Sequence, residues 1–263
     1  MPYALSAGTK IYWEERGAGD PLLLIMGLGA THDLWHRVVP WVAARYRTIL
    51  LDNRGAGMSD APVGPYGIAQ MAEDAIAVLD AAGVARARVF GASMGGMIAQ
   101  ELALNHPDRV QSLILGCTAC GGTQSVAADR EVRAALAARA TLPRAEAIRV
   151  MIPYTYDAST PRDRVEEDIL LRIRTAMSNE AFAAQYQGIR SWAGTHERLA
   201  QLKMPVLVIH GETDRLVPPE NGHIVARAIP RAELVMLPNA SHIFFTDQPE
   251  VSKKAILEFL GRK

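Results

Sequence analysis

Gly91-Ala92-Ser93-Met94-Gly95-Gly96 sets a serine among glycines, with a strand candidate before it (Arg88–Phe90) and a helical stretch after it (Met94–Asn105). Few local patterns restrict a chain so tightly. The serine has to occupy a tight turn in strained dihedrals, and side chains at the flanking glycine positions would collide with neighbouring backbone. Such a turn exposes the hydroxyl and leaves the Met94 N–H at a helix N-terminus, where it can stabilise negative charge. A glycine-rich turn with an incidental serine is the competing reading. The strand and helix on either side argue against it.

The rest of the chain has the same grammar. Strand candidates lie at Lys10–Trp13, Leu22–Met26, Thr48–Leu51, Arg88–Phe90, Ser112–Leu115, Val206–Ile209 and Glu233–Leu237. Several are apolar throughout, as strands covered on both faces are. Helical stretches such as Ile68–Ala82, Met94–Asn105 and Val251–Leu260 separate them. This alternation predicts an α/β fold with a mostly parallel sheet and helices on both sides. At 263 residues, 49% of them apolar, the chain can bury a large core, and one domain with an insertion fits better than two.

The alternation breaks between about Gly121 and Trp192, where every signal is helical. Thr160 is a good N-cap, Pro161 suits a first helical position and Asp163 lies near the capping-box position. Val165, Ile169, Ile173 and Met177 then recur every four residues as one apolar stripe. A second short helix is expected after Asn179, with Phe182, Tyr186 and Ile189 on one face. The chain therefore divides into a core of residues 1–120 and 199–263 and a helical insertion of residues 121–198. A lid over the strand ends is the favoured reading of the insertion, because ligand crevices lie there. Helical packing away from the site is the alternative.

Serine is a poor nucleophile until a base takes its proton. Of the seven histidines, His242 sits in Pro238-Asn239-Ala240-Ser241-His242, a loop after the last strand candidate and before the last helix. That loop should open onto the sheet edge that carries Ser93. His106 precedes a proline at a helix end, His210 ends a strand and His223 lies in a helix. The imidazole needs an acid behind it to fix its tautomer. Asp214 follows the Val206–Ile209 strand and is the first candidate, with Glu212 its rival. The chain order is then Ser93, Asp214, His242. Two N–H donors must also meet the developing oxyanion. Met94 supplies one, and Leu28 of Met26-Gly27-Leu28-Gly29 is assigned the other. Met26, Met58, Met94 and Met97 cluster around these motifs, and methionine makes adaptable apolar walls. Trp35 and Trp192 add aromatic surface to the expected substrate pocket, although ordinary core filling explains the same residues.

Charge narrows the partners. Lys+Arg and Asp+Glu both total 28, with no basic run, so the footprint of a nucleic-acid binder or of a polybasic membrane patch is missing. The N-terminal stretch has no apolar signal region, and the apolar runs are too short to span a bilayer, so a cytoplasmic protein is expected. Cys117 and Cys120 form a C-x-x-C pair, read either as a redox or metal half-site or as two buried thiols after a core strand. The second reading fits better, since no second pair exists. No metal or organic cofactor is expected.

Taken together, MGLG, Asp52-Asn53-Arg54-Gly55-Ala56-Gly57-Met58-Ser59, GASMGG, GETDRLVP and NASHIFF resemble the α/β-hydrolase superfamily over nearly the whole length. The resemblance implies an eight-stranded, mostly parallel sheet with helices on both faces and a helical cap inserted after the sixth strand. It also implies structural roles for Asp52 and Arg54. The family usually has His-Gly in its oxyanion loop; Met26-Gly27 here keeps the backbone donor but loses a side-chain option. Within the superfamily, DNRGAGMSDAP, Gly64–Tyr66 and CTAC resemble 3-oxoadipate enol-lactonases and related small carboxylesterases. Haloalkane dehalogenases carry an aspartate where this chain has Ser93. The implied activity is hydrolysis of small to medium carboxylic esters through an acyl-enzyme. Lactone opening, perhydrolysis and carbon–carbon cleavage use the same triad, and a slow small-molecule receptor is the alternative of another class. A dicarboxylate lactone would want cations near the site. Arg54 is the only obvious one, so a neutral ester in an apolar pocket is the expectation.

Overall fold

The computed structural model describes residues 2–139, 141–175 and 177–262. Eight strands form one sheet: β1 (Tyr3–Ser6), β2 (Thr9–Arg16), β3 (Pro21–Ile25), β4 (Arg47–Leu51), β5 (Ala87–Ala92), β6 (Val110–Gly116), β7 (Val206–Gly211) and β8 (Glu233–Leu237). Their spatial order is β1-β2-β4-β3-β5-β6-β7-β8. β2 runs antiparallel to both β1 and β4, and the pairs from β4 to β8 are parallel. The helices are α1 (Val39–Val42), α2 (Ile68–Ala81), α3 (Met94–Asn105), α4 (Arg130–Ala138), α5 (Arg144–Arg149), α6 (Ile152–Thr155), α7 (Arg162–Arg174), α8 (Asn179–Ser191), α9 (Glu220–Ala228), α10 (Phe244–Asp247) and α11 (Pro249–Leu260).

Each of the seven strand candidates corresponds to a strand, Leu22–Met26 running one residue past the end of β3, and β1 is the addition. It forms a hairpin with β2 through Ala7 and Gly8, both at positive φ, which closes the Ser6–Thr9 pair. A two-residue turn of that kind wants Asn-Gly or Asp-Gly, so Ala-Gly gives a weak signal.

Alternate residues of each parallel strand feed opposite faces, as a period of two demands. Leu23, Ile25, Val89, Leu113, Leu115 and Val208 pack with α2 and α3 on one side. Leu22, Leu24, Phe90, Ile114, Leu207 and Ile209 pack with Trp35, Phe244 and α11 on the other. Trp35, expected in the pocket, is instead wholly buried in this second layer, its ring 4.7 Å from Phe90 and 5.4 Å from Phe245. A large apolar ring near a sheet face gains more from core contact than from lining a crevice.

Strand order places the site. From β3 the chain adds β4 on one side and then crosses back to add β5 on the other, and a crevice opens at such a switch point beyond the carboxyl ends. α3 starts there and dives under the sheet, buried at every residue from Met94 to Ala103. Gly95 lets it approach, because a Cβ there would run into the Ile25 carbonyl oxygen. Gly95→Ala is therefore expected to cost about 1–3 kcal/mol through backbone displacement, read as a lower denaturant midpoint with an unchanged m-value.

Between β6 and β7 the described elements are the helices α4 to α8 and short 3-10 turns. Two local details differ from expectation. The helix after Pro161 begins at Arg162, and the Thr160 hydroxyl donates to Asp247 (2.6 Å) rather than capping it. That helix ends at Arg174, so Met177 lies beyond the stripe of Val165, Ile169 and Ile173. α8 is capped by Ser178, whose side chain accepts from the Ala181 N–H. The segment is tied to the rest by buried polar bonds. The Gln185 amide bridges Gly29 N–H (3.0 Å) and the Arg54 carbonyl (2.9 Å). Asp168 accepts from Arg37 (3.2 Å) and Thr246 (2.6 Å).

Candidate active site

Ser93 follows β5 and opens α3 at φ 58 and ψ −123, the strained geometry its glycine neighbours imply. A Cβ at Gly91 would collide with the Gly95 carbonyl, so the turn tolerates only glycine there. Ser93 N–H donates to the Gly116 carbonyl (2.9 Å), and the Thr118 hydroxyl donates to the Ser93 carbonyl (2.7 Å). These bonds anchor the strained residue to the end of β6. Thr118 falls in the CTAC segment, but nothing in that segment pointed to this anchoring bond.

The Met26–Gly29 loop lies directly across the turn. A Cβ at Gly27 would sit 2.8 Å from Ser93 Cβ, which is why the loop is glycine at that point. Leu28 N–H and Met94 N–H have no intramolecular acceptor among the described residues, whereas Gly29 N–H is taken by Gln185. Two free donors thus flank the serine, one from the Met26–Gly29 loop and one from the first turn of α3.

His242 lies in the loop after β8, buried (4% exposed), and shares one cavity with Ser93. Its backbone is held from both sides: Ser241 N–H donates to Asp247 (2.7 Å) and Ile243 N–H to the Thr155 carbonyl (2.9 Å). Asp247 therefore joins the histidine loop to Thr160 of the helical segment, a link no motif indicated. Behind the imidazole, Asp214 Oδ2 lies 2.8 Å from His242 Nδ1. Asp214 Oδ1 accepts from Leu216 N–H and Val217 N–H, both at 2.9 Å. Glu212, the rival acid, is exposed. His210 Nε2 is 2.8 Å from the Val217 carbonyl and 3.3 Å from Asp214 Oδ2, so its proton sits on Nε2 between two acceptors.

These contacts set the protonation. Burial alone would raise the Asp214 pKa, but the His242 charge and the His210 and His242 hydrogen bonds outweigh it and lower it to about 2. Burial alone would lower the His242 pKa, but the Asp214 charge, with Cys117 beside the ring, outweighs it and carries the group well above its usual 6.5. The pair is an anchored carboxylate that stabilises an imidazolium.

The cavity holds about 520 Å³, the size of a small-molecule site. Of the residues read as pocket walls, Met26, Met97 and Trp192 line it; Trp35 and Met94 are buried in the core instead, and Met58 is 43% exposed elsewhere. Cys117 faces the cavity and Cys120 is buried behind it, both as free thiols. The cations are where sequence reasoning did not look. Arg54 is buried in a two-pronged ion pair with Asp74, away from the cavity. Arg133, Arg139, Arg172 and Arg190, all between β6 and β7, line it instead.

Residues 20–249 match the alpha/beta hydrolase fold family. The chain belongs to that family. It is 32% identical to a protein assigned as a carbamate hydrolase, RutD of Azorhizobium caulinodans, over 99% of this chain and 98% of that one. It is 30% identical to the pimeloyl-[acyl-carrier protein] methyl ester esterase of Aeromonas hydrophila, over 94% and 98%. Among solved structures, the enol-lactonase of Burkholderia xenovorans superposes with a TM-score of 0.86 at 28% identity, over 99% of this chain and 100% of that one. This alpha/beta hydrolase is thus a hydrolase whose relatives open esters, lactones and carbamates. No helix among the described residues is long and apolar enough to cross a membrane.

Proposed function

We propose that the protein hydrolyses carboxylic esters of small to medium size through an acyl-enzyme formed on Ser93. One observation carries the reading: a histidine backed at 2.8 Å by a fully anchored carboxylate shares a cavity with a serine on a strained strand–helix turn. His242 takes the Ser93 proton through Nε2 as the oxygen attacks the ester carbonyl. Leu28 N–H and Met94 N–H receive the oxyanion, Asp214 stabilises the imidazolium, and His242 returns the proton to the leaving alcohol. Water then enters by the same route and releases the acid. Residues 121–198 act as a cap on the core of residues 1–120 and 199–263. The many cavity-lining residues from the helical segment support that division.

The test is a series of p-nitrophenyl esters from acetate to palmitate, with mass spectrometry of the quenched enzyme. A rate that peaks at short chains and an acyl adduct on Ser93 are expected. Stoichiometric release without turnover would sink the hydrolase reading in favour of a receptor. The same assay reads the base. His242 must start neutral, and its pKa lies above 6.5 in the folded protein. The kcat/KM should therefore rise with pH along an acid limb whose midpoint lies above 6.5. A flat profile from pH 5 to 8 would remove His242 as the base.

A further inference from the structure

Among the described residues, the cavity that holds Ser93 and His242 is lined by four arginines and by no aspartate or glutamate. Arg133 and Arg190 are exposed near its rim. Arg139 and Arg172 are different: each is only 8% exposed, and the Nε of each is buried with no hydrogen-bond partner. No carboxylate among the described residues pairs with either. Asp168, one turn before Arg172 on α7, is already shared by Arg37, His36, Tyr156 and Thr246.

The surroundings hold these groups in place without neutralising them. Arg139 lays its face on the Phe182 ring, 4.2 Å from the centroid. Stacking uses the face of a guanidinium and leaves its in-plane N–H groups free. Arg139 Nη2 lies 3.3 Å from where a Gly29 Cβ would stand, beside the loop that carries Leu28. Arg144 donates to the carbonyls of Arg172 (2.8 Å) and Met177 (3.0 Å), which fixes the end of α7 and adds a third positive charge. Burial, then the charges of Arg172 and Arg144, lower the Arg139 pKa to about 9, so it remains cationic at neutral pH. Buried cations without a counter-charge are costly, and an arriving anion relieves that cost.

We propose that Arg139 and Arg172 form an anion subsite, and that the substrate is a half-ester whose free carboxylate binds there while its ester carbonyl meets Ser93. This rests on the serine-hydrolase reading and names its substrate class. A guanidinium edge matches a carboxylate with two parallel hydrogen bonds. Arg133 and Arg190 at the rim raise the local concentration of an anionic substrate. The subsite sets specificity, and the bond-breaking step stays with Ser93 and His242.

The test compares monoethyl esters of the linear diacids from malonate to suberate with their terminal amides, in which –CONH₂ replaces –COO⁻. At one chain length the half-ester should lead in kcat/KM by about tenfold or more, mainly through KM. Arg139→Met and Arg172→Met should each bring that ratio towards one, and Arg139→Lys should keep part of it. Equal rates for acid and amide at every length, or a ratio that survives both Met variants, would overturn the subsite. A second measurement needs neither turnover nor a variant: calorimetry on the wild type should show the free diacid binding about tenfold more tightly than the diamide. Equal binding would also overturn the proposal. A hydrolase that fails on all esters yet binds diacids selectively would retain the subsite and lose the reaction.

Discussion

Ser93→Ala should lower kcat on every accepted ester by about 10⁴- to 10⁶-fold while leaving a small rate above water. The residual comes from Leu28 N–H and Met94 N–H, which the substitution does not touch. The fold should survive, because alanine accepts the bonds that anchor this residue: they run through the Ser93 backbone, to Gly116 and from Thr118. The strained φ of 58 is retained as well, so no relief and no added cost is expected. The melting temperature should stay within about 4 °C of wild type, the shift that 1 kcal/mol makes in a chain of this size. A folded Ser93→Ala protein with wild-type turnover would move the chemistry to another residue, and Cys117, which faces the same cavity, would be the first to replace.

Asp214→Asn should cost about 10⁴-fold in kcat at neutral pH, although its volume and most of its bonds are conserved. The reason lies in which atoms are already committed. Oδ1 accepts two backbone N–H groups, so an asparagine places its oxygen there. Its NH₂ then faces His242 Nδ1, where Asp214 had accepted a hydrogen bond. Nδ1 becomes an acceptor, the ring proton moves to Nε2, and the nitrogen that should take the Ser93 proton no longer can. Glu212→Gln, one turn position away and exposed, should leave kcat within twofold to threefold. Equal losses for the two variants would mean that Asp214 does not orient the base.

What could be seen in the chain depended on how local its cause was. The interior strands were legible because both faces are covered, so their residues are apolar without interruption. β1 escaped because its identity rests on a hairpin turn with an unfavoured Ala7 and on pairing with β2. Ser93, Asp214 and His242 each follow a strand end, where position follows from topology; Ser93 and His242 line one cavity, and Asp214 lies behind the imidazole. The cavity's charge was not legible. Arg139 follows the end of α4 and Arg172 lies on α7, which is tied down by tertiary bonds such as those of Asp168, and nothing local distinguishes them from surface arginines. Arg54 misled for the opposite reason: it lies in a conspicuous motif, but its partner is Asp74 on α2. Trp35 and Met58 lie in or near the motifs in sequence but do not line the cavity.

The order in which the parts appear along the chain has a consequence for synthesis. The proposed nucleophile and both oxyanion donors belong to the half made first, around β3 and β5. The arginine wall comes next, from the helices between β6 and β7, and the acid and the base arrive last, after β7 and after β8. A growing polypeptide on the ribosome therefore exposes Ser93 as an ordinary alcohol for most of its translation. On the proposed mechanism, Ser93 gains its base and the acid behind it only when the segments after β7 and β8 have docked.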